Sequence, residues 1–567
     1  MKRILALTLA LLMILTLCAC GQSAPSASGG ASAPAAVSND EQNAAVETGE
    51  TNDLTYVEGY WPESFLKDRI VVATSRDGGG FPPIGGSAWG SVNFCLYEKL
   101  VFTDSEGRDR LQLLKSINEL DELTYECELW DCIYDTAGNN ITAEDVAFSV
   151  QLFIDSGNKG GVNCLNLLEG DKADIEVTGD YTFLWHNCQA FGPGELGKNM
   201  GNPTIVSKTA YEASGEDKFI TAPVGTGPYM LESYTVGSKA VFKANPDYWM
   251  KNIDDDAWLA ENFYAIDCQN VGEIEYDIIQ DASTRAMALE MGDVCAIDTA
   301  NAADINAYLA DPAFGISPVR KRVGAPLAFY FDCSDTSPCS DVNLRMAICC
   351  ALDNDGIAAG NSYPAYAVYG LQPNMFDAPE SWTTGEGREY YGYDVDKAKE
   401  YLEKSSYNGE PLTLMYMDQA AITDMVIMMQ SQLREVGIDL ELQPVDQNTL
   451  DVYKNDYTKW DMIADIMGGG NYMANTIKKF WSGDLVDANG NTVLAILDTR
   501  LDELYEAVRT DSSPENIEAW DQYFTYDNCY GYAIARYFEQ TACLSTVNAV
   551  VAGAQNQLVP GAFTFND

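Results

Sequence analysis

The pattern of apolar and polar positions predicts a mixed α/β chain. Arg69–Ser75 is a short apolar run typical of a buried strand, and the three glycines after Asp77 predict a loop. Thr142, with Asp145 three residues later, predicts the capped start of an amphipathic helix. The same periodicities predict helices over 341–352, 394–402 and 420–436, and strands over 440–445 and 460–467. This order, with no short repeat, favours two α/β lobes over one barrel.

The amino end has the pattern of an export signal. Two basic residues precede an apolar stretch at 4–17, which is shorter than the ~20 residues of a membrane-spanning helix. The stretch ends Leu-Cys-Ala-Cys-Gly, which resembles a bacterial lipobox cleaved before Cys20. Residues 1–19 are therefore predicted to be a lipoprotein signal peptide, with a diacylglycerol on the Cys20 thiol. An ordinary cleaved signal with an incidental cysteine is the alternative.

The segment that follows is predicted to be a disordered tether. Residues 21–53 are rich in Ser, Ala, Gly and Pro and contain no aromatic residue. Such a segment cannot bury enough apolar surface to offset its ordering entropy. As a flexible coil it reaches roughly 30 Å. We therefore expect residues 20–53 to hold the folded part at the membrane through the lipid.

Charge and histidine content restrict the partners. With 34 basic against 85 acidic side chains the net charge is −51, which argues against nucleic acid. The acidity indicates a solvated surface, with a cationic ligand as the alternative. His186 is the single histidine, so no zinc-ligand spacing occurs and neither a metal nor a cofactor is predicted.

The cysteines have two interpretations. Fifteen are present, and thirteen remain after Cys18 and Cys20 are set aside. Most are expected to be small buried hydrophobes, as in the apolar run around Cys349 and Cys350. Local bridges are the alternative, and two pairs are close enough in sequence to form them: Cys127 with Cys132, and Cys333 with Cys339.

Several ordered blocks resemble the family 5 extracellular solute-binding proteins of ABC transporters. The most specific are Pro-Val-Gly-Thr-Gly-Pro-Tyr at 223–229 and Asn-Pro-Asp-Tyr-Trp at 245–249. Other blocks similar to family elements lie at 97–101, 141–149, 341–353, 393–402 and 433–438. We expect the glycines of the first block to make a tight structural turn. Arg345, within the 341–353 block, is expected to be a buried salt-bridge partner.

The resemblance implies a two-lobed α/β architecture, the type II fold of periplasmic binding proteins. Its expected divisions are a discontinuous lobe I at 54–300 and 521–567, with an outer subdomain at about 91–215, and a lobe II at 301–520. The ligand would lie in the cleft, and the lobes would close over it by a hinge motion.

The implied function is that of a substrate-binding lipoprotein. It would capture an extracellular solute and deliver it to ABC permease subunits that work with a cytoplasmic ATPase. The protein would be a monomer on the outer face of the cytoplasmic membrane or in the periplasm.

The ligand class stays open between peptide and oligosaccharide or another polar solute. In peptide-binding relatives an Asp holds the peptide amino group, but the corresponding position here falls near Gly470. Asp465 or Asp77 could substitute, while Asn471 and Tyr472 would also suit a sugar. Phe81 and Trp89 are the remaining candidate contacts.

A secreted hydrolase and a sensor lipoprotein are the alternative functions. A secreted hydrolase would need a nucleophile and a base, yet neither a G-x-S-x-G nor an H-E-x-x-H motif occurs. The chain is therefore not expected to be an enzyme. A sensor lipoprotein on the same fold is the other alternative.

Overall fold

The computed structural model describes most of the chain beyond the predicted tether. The described residues are 61–77, 79–84, 93–104, 107–156, 174–188, 190–192, 194–317, 326–363, 365–371, 375, 377–454, 456–466, 472–482, 493–537, 540–552 and 557–566. The signal, the tether, Cys20, Trp89 and Asn471 lie outside this set. Among the described residues, no helix is both long and apolar enough to cross a membrane.

Lobe I is built on a seven-stranded mixed sheet. Its strands, in spatial order, are Tyr229–Thr235, Lys239–Ala244, Val271–Ile278, Lys67–Thr74, Ala296–Ala300, Gln540–Leu544 and Phe314–Ile316. The predicted strand at 69–75 lies near the middle, parallel to both of its neighbours. Helices Asp256–Asn262, Ala282–Glu290 and Ala302–Ala310 accompany this sheet. The apolar run thus became a buried central strand.

The outer subdomain of lobe I contains a four-stranded antiparallel sheet. Its strands are Leu114–Asp121, Thr124–Leu129, Thr182–His186 and Ile175–Val177, in that order. Two small strand pairs join Glu98–Lys99 to Thr204–Ile205 and Val101–Thr103 to Asp109–Leu111. Its helices are Asn93–Leu96, Ala143–Asp155, Glu195–Gly201, Lys208–Ser214 and Glu216–Thr221.

The helix Ala143–Asp155 begins as its sequence predicts. The Thr142 amide donates to the Asp145 carboxylate at 2.8 Å, and the capping box is complete. This carboxylate satisfies one of the amides that a helix start leaves without a partner.

Lobe II is built on a separate six-stranded sheet. Its strands, in spatial order, are Ala365–Ala367, Gly531–Tyr537, Pro326–Phe331, Met462–Ile466, Leu412–Met417 and Leu440–Val445. Its helices are Val342–Cys350, Asn354–Ala359, Ser381–Thr384, Val395–Lys404, Ala420–Val436, Gln447–Tyr453, Met473–Ile477, Thr499–Thr510 and Pro514–Asp521, the last continuing as a π-helix at Gln522–Asp527. The predicted strands at 440–445 and 460–467 are confirmed. The long predicted helix ends at Gly437 with φ of +94°.

Among the described residues, the strands change sheet between 316 and 326 and again between 537 and 540, later in the chain than the boundaries at 300 and 520 that the resemblance implies. Strand Phe314–Ile316 still pairs in lobe I, with Gln540–Leu544. Strand Gly531–Tyr537 belongs to the lobe II sheet. Lobe II therefore runs from about 326 to 537. Each lobe also has its own hydrophobic core, since the largest lobe I core draws only on residues 70–296 and 543–563 and the lobe II core only on 327–535.

The carboxyl end returns to lobe I after the second crossing. Short strands Val547–Asn548 and Thr564–Phe565 pair there, as do Val551–Ala552 and Gln557–Leu558. The Asn270 amide N–H donates to the Gly561 carbonyl at 2.8 Å, which ties this tail to the lobe I sheet.

Candidate ligand-binding site

The glycine block at 223–229 packs against the backbone of the outer subdomain. A Cβ at Gly225 would overlap the Leu96 carbonyl, and one at Gly227 would lie 2.5 Å from the Cys95 carbonyl oxygen. The Gly227 amide also donates to the Leu96 carbonyl at 3.0 Å. These glycines therefore permit close backbone approach, which is the structural role expected for them.

The Asn-Pro-Asp-Tyr-Trp block holds one buried carboxyl group of the outer subdomain. Tyr248 donates to one oxygen of Glu98 at 2.8 Å, and the Trp249 indole donates to the other at 2.7 Å. Burial, followed by the nearby charge of Asp267, raises the pKa of Glu98 to about 8. Glu98 is fully buried, so this network organises lobe I and does not contact ligand.

Within the described part of the chain, Arg345 forms no salt bridge of the kind expected for it. Its guanidinium donates to the carbonyls of Cys339, Ser340, Asn528 and Cys529 at 2.6–3.0 Å. Carbonyl oxygens at the helix start and after the π-helix thus take the role that a carboxylate was expected to fill.

The lobes meet at a contact that we call the interlobe seam, formed by Gly192 and Gly194 of lobe I and Tyr472 and Arg509 of lobe II. A Cβ at Gly194 would overlap the Tyr472 ring. One at Gly192 would lie 2.6 Å from the Arg509 carbonyl oxygen. Only glycine allows the lobes to approach so closely here. Tyr472, a sequence-predicted site residue, is therefore at the boundary between the lobes.

Two lysines, Lys198 and Lys479, lie on elements that begin directly after the residues of the interlobe seam. Helix Glu195–Gly201 begins after Gly194 and carries Lys198, while the helix that begins after Tyr472 leads into the turn that carries Lys479. The Lys479 ammonium lies 5.8 Å from the centre of the Tyr330 ring. Burial lowers the pKa of Lys479, and this pKa also responds to the charges of Asp465, Lys454 and Lys198.

The charges of Lys198 and Lys454 both lower the pKa of Lys479, and we call these three residues the lysine cluster. Like charges disfavour one another at short range, so an anionic group between the lobes would relieve the repulsion. Asp465 already provides part of that compensation, because its charge raises the pKa of Lys479. Asp465 is thus a weaker anchor for a ligand ammonium than its sequence position suggested.

Asp77 and Phe81 are engaged within lobe I. The Asp77 carboxylate accepts hydrogen bonds from the Tyr234 hydroxyl and from the Gly237 amide, in the turn between two sheet strands. Desolvation by itself would raise the pKa of Asp77. The hydrogen bonds to the carboxylate together outweigh this effect, so the pKa is lowered. Phe81 is fully buried and packs edge-on against Tyr234. The contacts described for these two predicted site residues are therefore all within lobe I.

A cavity of about 730 Å³ lies at the other end of lobe II. Its lining includes Ser334, Thr413 and Trp460. These residues lie near the ends of the lobe II strands that are opposite to Pro326 and Tyr537. Among the described residues, no group of three or more metal-ligating side chains is present.

Comparison with known proteins identifies the chain. Residues 111–485 match the profile of the bacterial extracellular solute-binding proteins, family 5 middle region. The chain belongs to this family. It is a solute-binding receptor of ABC transporters that acts outside the cytoplasm, and its two lobes are those of the type II binding-protein fold.

Individual relatives are distant but cover most of the chain. The oligopeptide-binding protein AppA of Bacillus subtilis is 23% identical over 410 residues, which are 66% of this chain and 68% of AppA. The structure of that AppA with a nonapeptide superposes with a TM-score of 0.67 at 18% identity, covering 88% of this chain and 99% of AppA. NikA from Brucella suis in complex with Fe(III)-EDTA gives a TM-score of 0.71 at 18% identity, covering 88% and 100%.

The seam could not be found from the sequence. Gly192 and Gly194 belong to a short Gly-Pro-Gly sequence with no periodic pattern, and Lys198 and Lys479 are 281 positions apart. Tyr472 is a predicted site residue because it follows the strand that relatives place near ligand.

Proposed function

We propose that this protein is a lipid-anchored monomeric receptor that binds a short peptide between its lobes and delivers it to an ABC permease. The supporting observation is the family match across 111–485, with an oligopeptide-binding protein among the relatives. In this proposal the receptor releases the peptide unchanged, because its task is capture and delivery. A permease pair with its ATPase would then drive uptake.

Closure would be the event that the permease recognises. Two separate cores joined by two chain crossings allow the lobes to move as rigid bodies. A ligand favours closure only if it interacts better with the closed form than with the open form. The seam supplies such contacts, since Tyr472 and Lys479 come from one lobe and Lys198 from the other.

A second candidate ligand is a small polycarboxylate. The observation that favours it is the lysine cluster at the seam of a chain whose net charge is −51. A carboxylate between Lys198 and Lys479 would make charge-assisted hydrogen bonds to both lobes. A peptide would use its terminal carboxylate in the same place.

Native mass spectrometry of the protein purified without its signal tests the ligand class. A co-purifying series of short peptides is the expected result. A single small polyacid would favour the second candidate, and a series of hexose increments would contradict both. Digestion of added peptides by the purified protein would contradict the receptor role.

The anchor is tested by a matched pair of cysteine substitutions. Cys20→Ala removes the proposed lipid attachment, so the protein should leave the membrane fraction. Cys18→Ala lies two positions earlier in the same motif and should leave the protein at the membrane. Equal fractionation of the two variants would contradict lipidation at Cys20.

A further inference from the structure

Lobe II contains two buried cysteines in direct contact that are far apart in sequence. The sulfur atoms of Cys349 and Cys529 are 3.3 Å apart, although the two residues are 180 positions apart in the sequence. Both side chains are buried, at 0% and 1% exposure. A disulfide has its sulfurs about 2.05 Å apart, so the two need to approach by only about 1.2 Å.

The backbone around this pair is held in place from both sides. Cys349 lies in the last turn of helix Val342–Cys350, and Cys529 follows the π-helix with φ of +49°, a conformation uncommon for residues other than glycine. Arg345, one turn earlier on the same helix as Cys349, donates to the Cys529 carbonyl at 3.0 Å. The helix and the Cys529 segment are therefore fixed relative to each other even without a covalent bond.

We propose that Cys349 and Cys529 form a disulfide bond in the exported protein. The protein acts outside the cytoplasm, where disulfides can form and persist. The bond would connect the helix to the segment that leads into strand Gly531–Tyr537, and that strand runs directly to the second crossing. It would close a loop spanning most of lobe II and so keep this lobe rigid while the hinge moves.

The chemistry requires an oxidant of the disulfide class. One cysteine thiolate attacks a small-molecule or protein disulfide, forms a mixed disulfide and releases one thiol. The second cysteine thiolate attacks the sulfur of the first cysteine in this mixed disulfide and releases the other thiol. Two protons and two electrons therefore pass to the oxidant. Burial raises the pKa of the Cys349 thiol in the folded protein, which disfavours the reactive thiolate. The exchange therefore takes place during folding, before the two cysteines are buried in lobe II.

Peptide mapping tests the bond directly. The full chain without its signal is refolded from denaturant in a glutathione redox buffer, alkylated and digested without reduction. The expected product is a linked pair of peptides containing Cys349 and Cys529. Alkylation of both residues, or a bond between Cys333 and Cys339 with these two left as thiols, would overturn the proposal.

A stability comparison provides an independent measurement. The oxidised protein should melt about 5–10 °C above the reduced protein, because a bond closing a long loop restricts the unfolded chain. Cys529→Ser should abolish this difference, whereas Cys350→Ala, a buried neighbour on the same helix, should retain it. An equal difference in all three proteins would overturn the proposal. The mapping of the unsubstituted chain decides the question even if Cys529→Ser fails to fold.

Discussion

At the residue scale, charge placement distinguishes structural groups from candidate ligand contacts. Glu98 is fully buried inside lobe I, where its carboxyl group accepts hydrogen bonds from two side chains of the same lobe. Lys479 instead lies at the boundary between lobes, among charges from both of them. A group whose surroundings come from one lobe serves the fold, while one whose surroundings span two lobes can respond to ligand.

Glu98→Gln should make stability less dependent on pH. The free carboxyl has a pKa of 4.5 and the folded one a pKa of about 8, so the native state retains a proton over that interval. Stability must therefore fall as pH rises from about 4.5 to 8. The glutamine does not titrate; its one acceptor oxygen can take the Trp249 hydrogen bond, while its amide nitrogen can donate to the Tyr248 hydroxyl.

The measurement is urea denaturation at pH 5 and at pH 8. We expect the loss of stability between these pH values to shrink by more than about 1 kcal/mol in Glu98→Gln. The exposed Glu126→Gln is the matched control and should leave the loss unchanged. Identical pH profiles for all three proteins would show that Glu98 is ionised throughout.

Lys479→Gln should weaken the binding of ligands that carry a free carboxylate. A charge-assisted hydrogen bond contributes about 1.5–3 kcal/mol, so affinity should fall about tenfold or more. Calorimetry with a co-purified peptide, synthesised as the acid and as the amide, isolates this contact. The variant should lose affinity for the acid and little for the amide. The exposed Lys399→Gln should behave as the unsubstituted protein, and an equal loss for both peptides would contradict the contact.

At the element scale, a loop and a helix start decide how closely the lobes approach. The helix that carries Lys198 begins after Gly194, and the helix that leads to Lys479 begins after Tyr472. The Gly194–Tyr472 contact therefore sets the separation of the two elements that bear the lysines.

Gly194→Ala should impair ligand binding through steric exclusion. The added methyl group would overlap the Tyr472 ring, so closure would require the lobes to stay farther apart. We expect affinity to fall about tenfold or more, measured by calorimetry with the co-purified ligand.

Gly437→Ala is the control for backbone strain. Gly437 is in the left-handed region like Gly194, with φ and ψ of +94° and +18° against +71° and +2°, and the nearest atom to its added Cβ is 4.0 Å away. Both variants should lose about 1–2 kcal/mol of stability from the left-handed backbone. Only Gly194→Ala should lose affinity; equal affinities would show that the seam does not limit closure.

At the scale of the whole molecule, the two sheets with their own cores predict separable stabilities. The largest lobe I core and the lobe II core share no residue, and the described strands pass from one sheet to the other at two places along the chain. Each lobe can therefore unfold as a cooperative unit, while ligand between them would couple the two.

Calorimetric unfolding of the ligand-free protein should show two transitions. Leu100→Ala in lobe I and Leu352→Ala in lobe II each remove a fully buried side chain, at a cost of about 2–5 kcal/mol. Each substitution should lower one transition and leave the other in place. A single transition that both substitutions lower equally would contradict independent lobes.

Local sequence patterns were sufficient for much of the architecture. The central strand at 67–74, the cap at Thr142 and the end of the long helix at Gly437 all follow from residues a few positions apart. Family blocks then indicated the binding-protein class. These features are readable because strand alternation, helix periodicity and capping depend on neighbours along the chain.

Only the tertiary structure decided which distant residues meet. Strand Phe314–Ile316 belongs to the lobe I sheet because it pairs there with a strand more than 220 positions later. Tyr248 reaches Glu98 across 150 positions, and Cys349 meets Cys529 across 180. The seam and its lysines likewise join residues from separate lobes. Such contacts depend on the path of the whole chain, and no local period encodes them. The elements and the receptor class could therefore be read from the sequence, whereas the residues that face one another between the lobes could not.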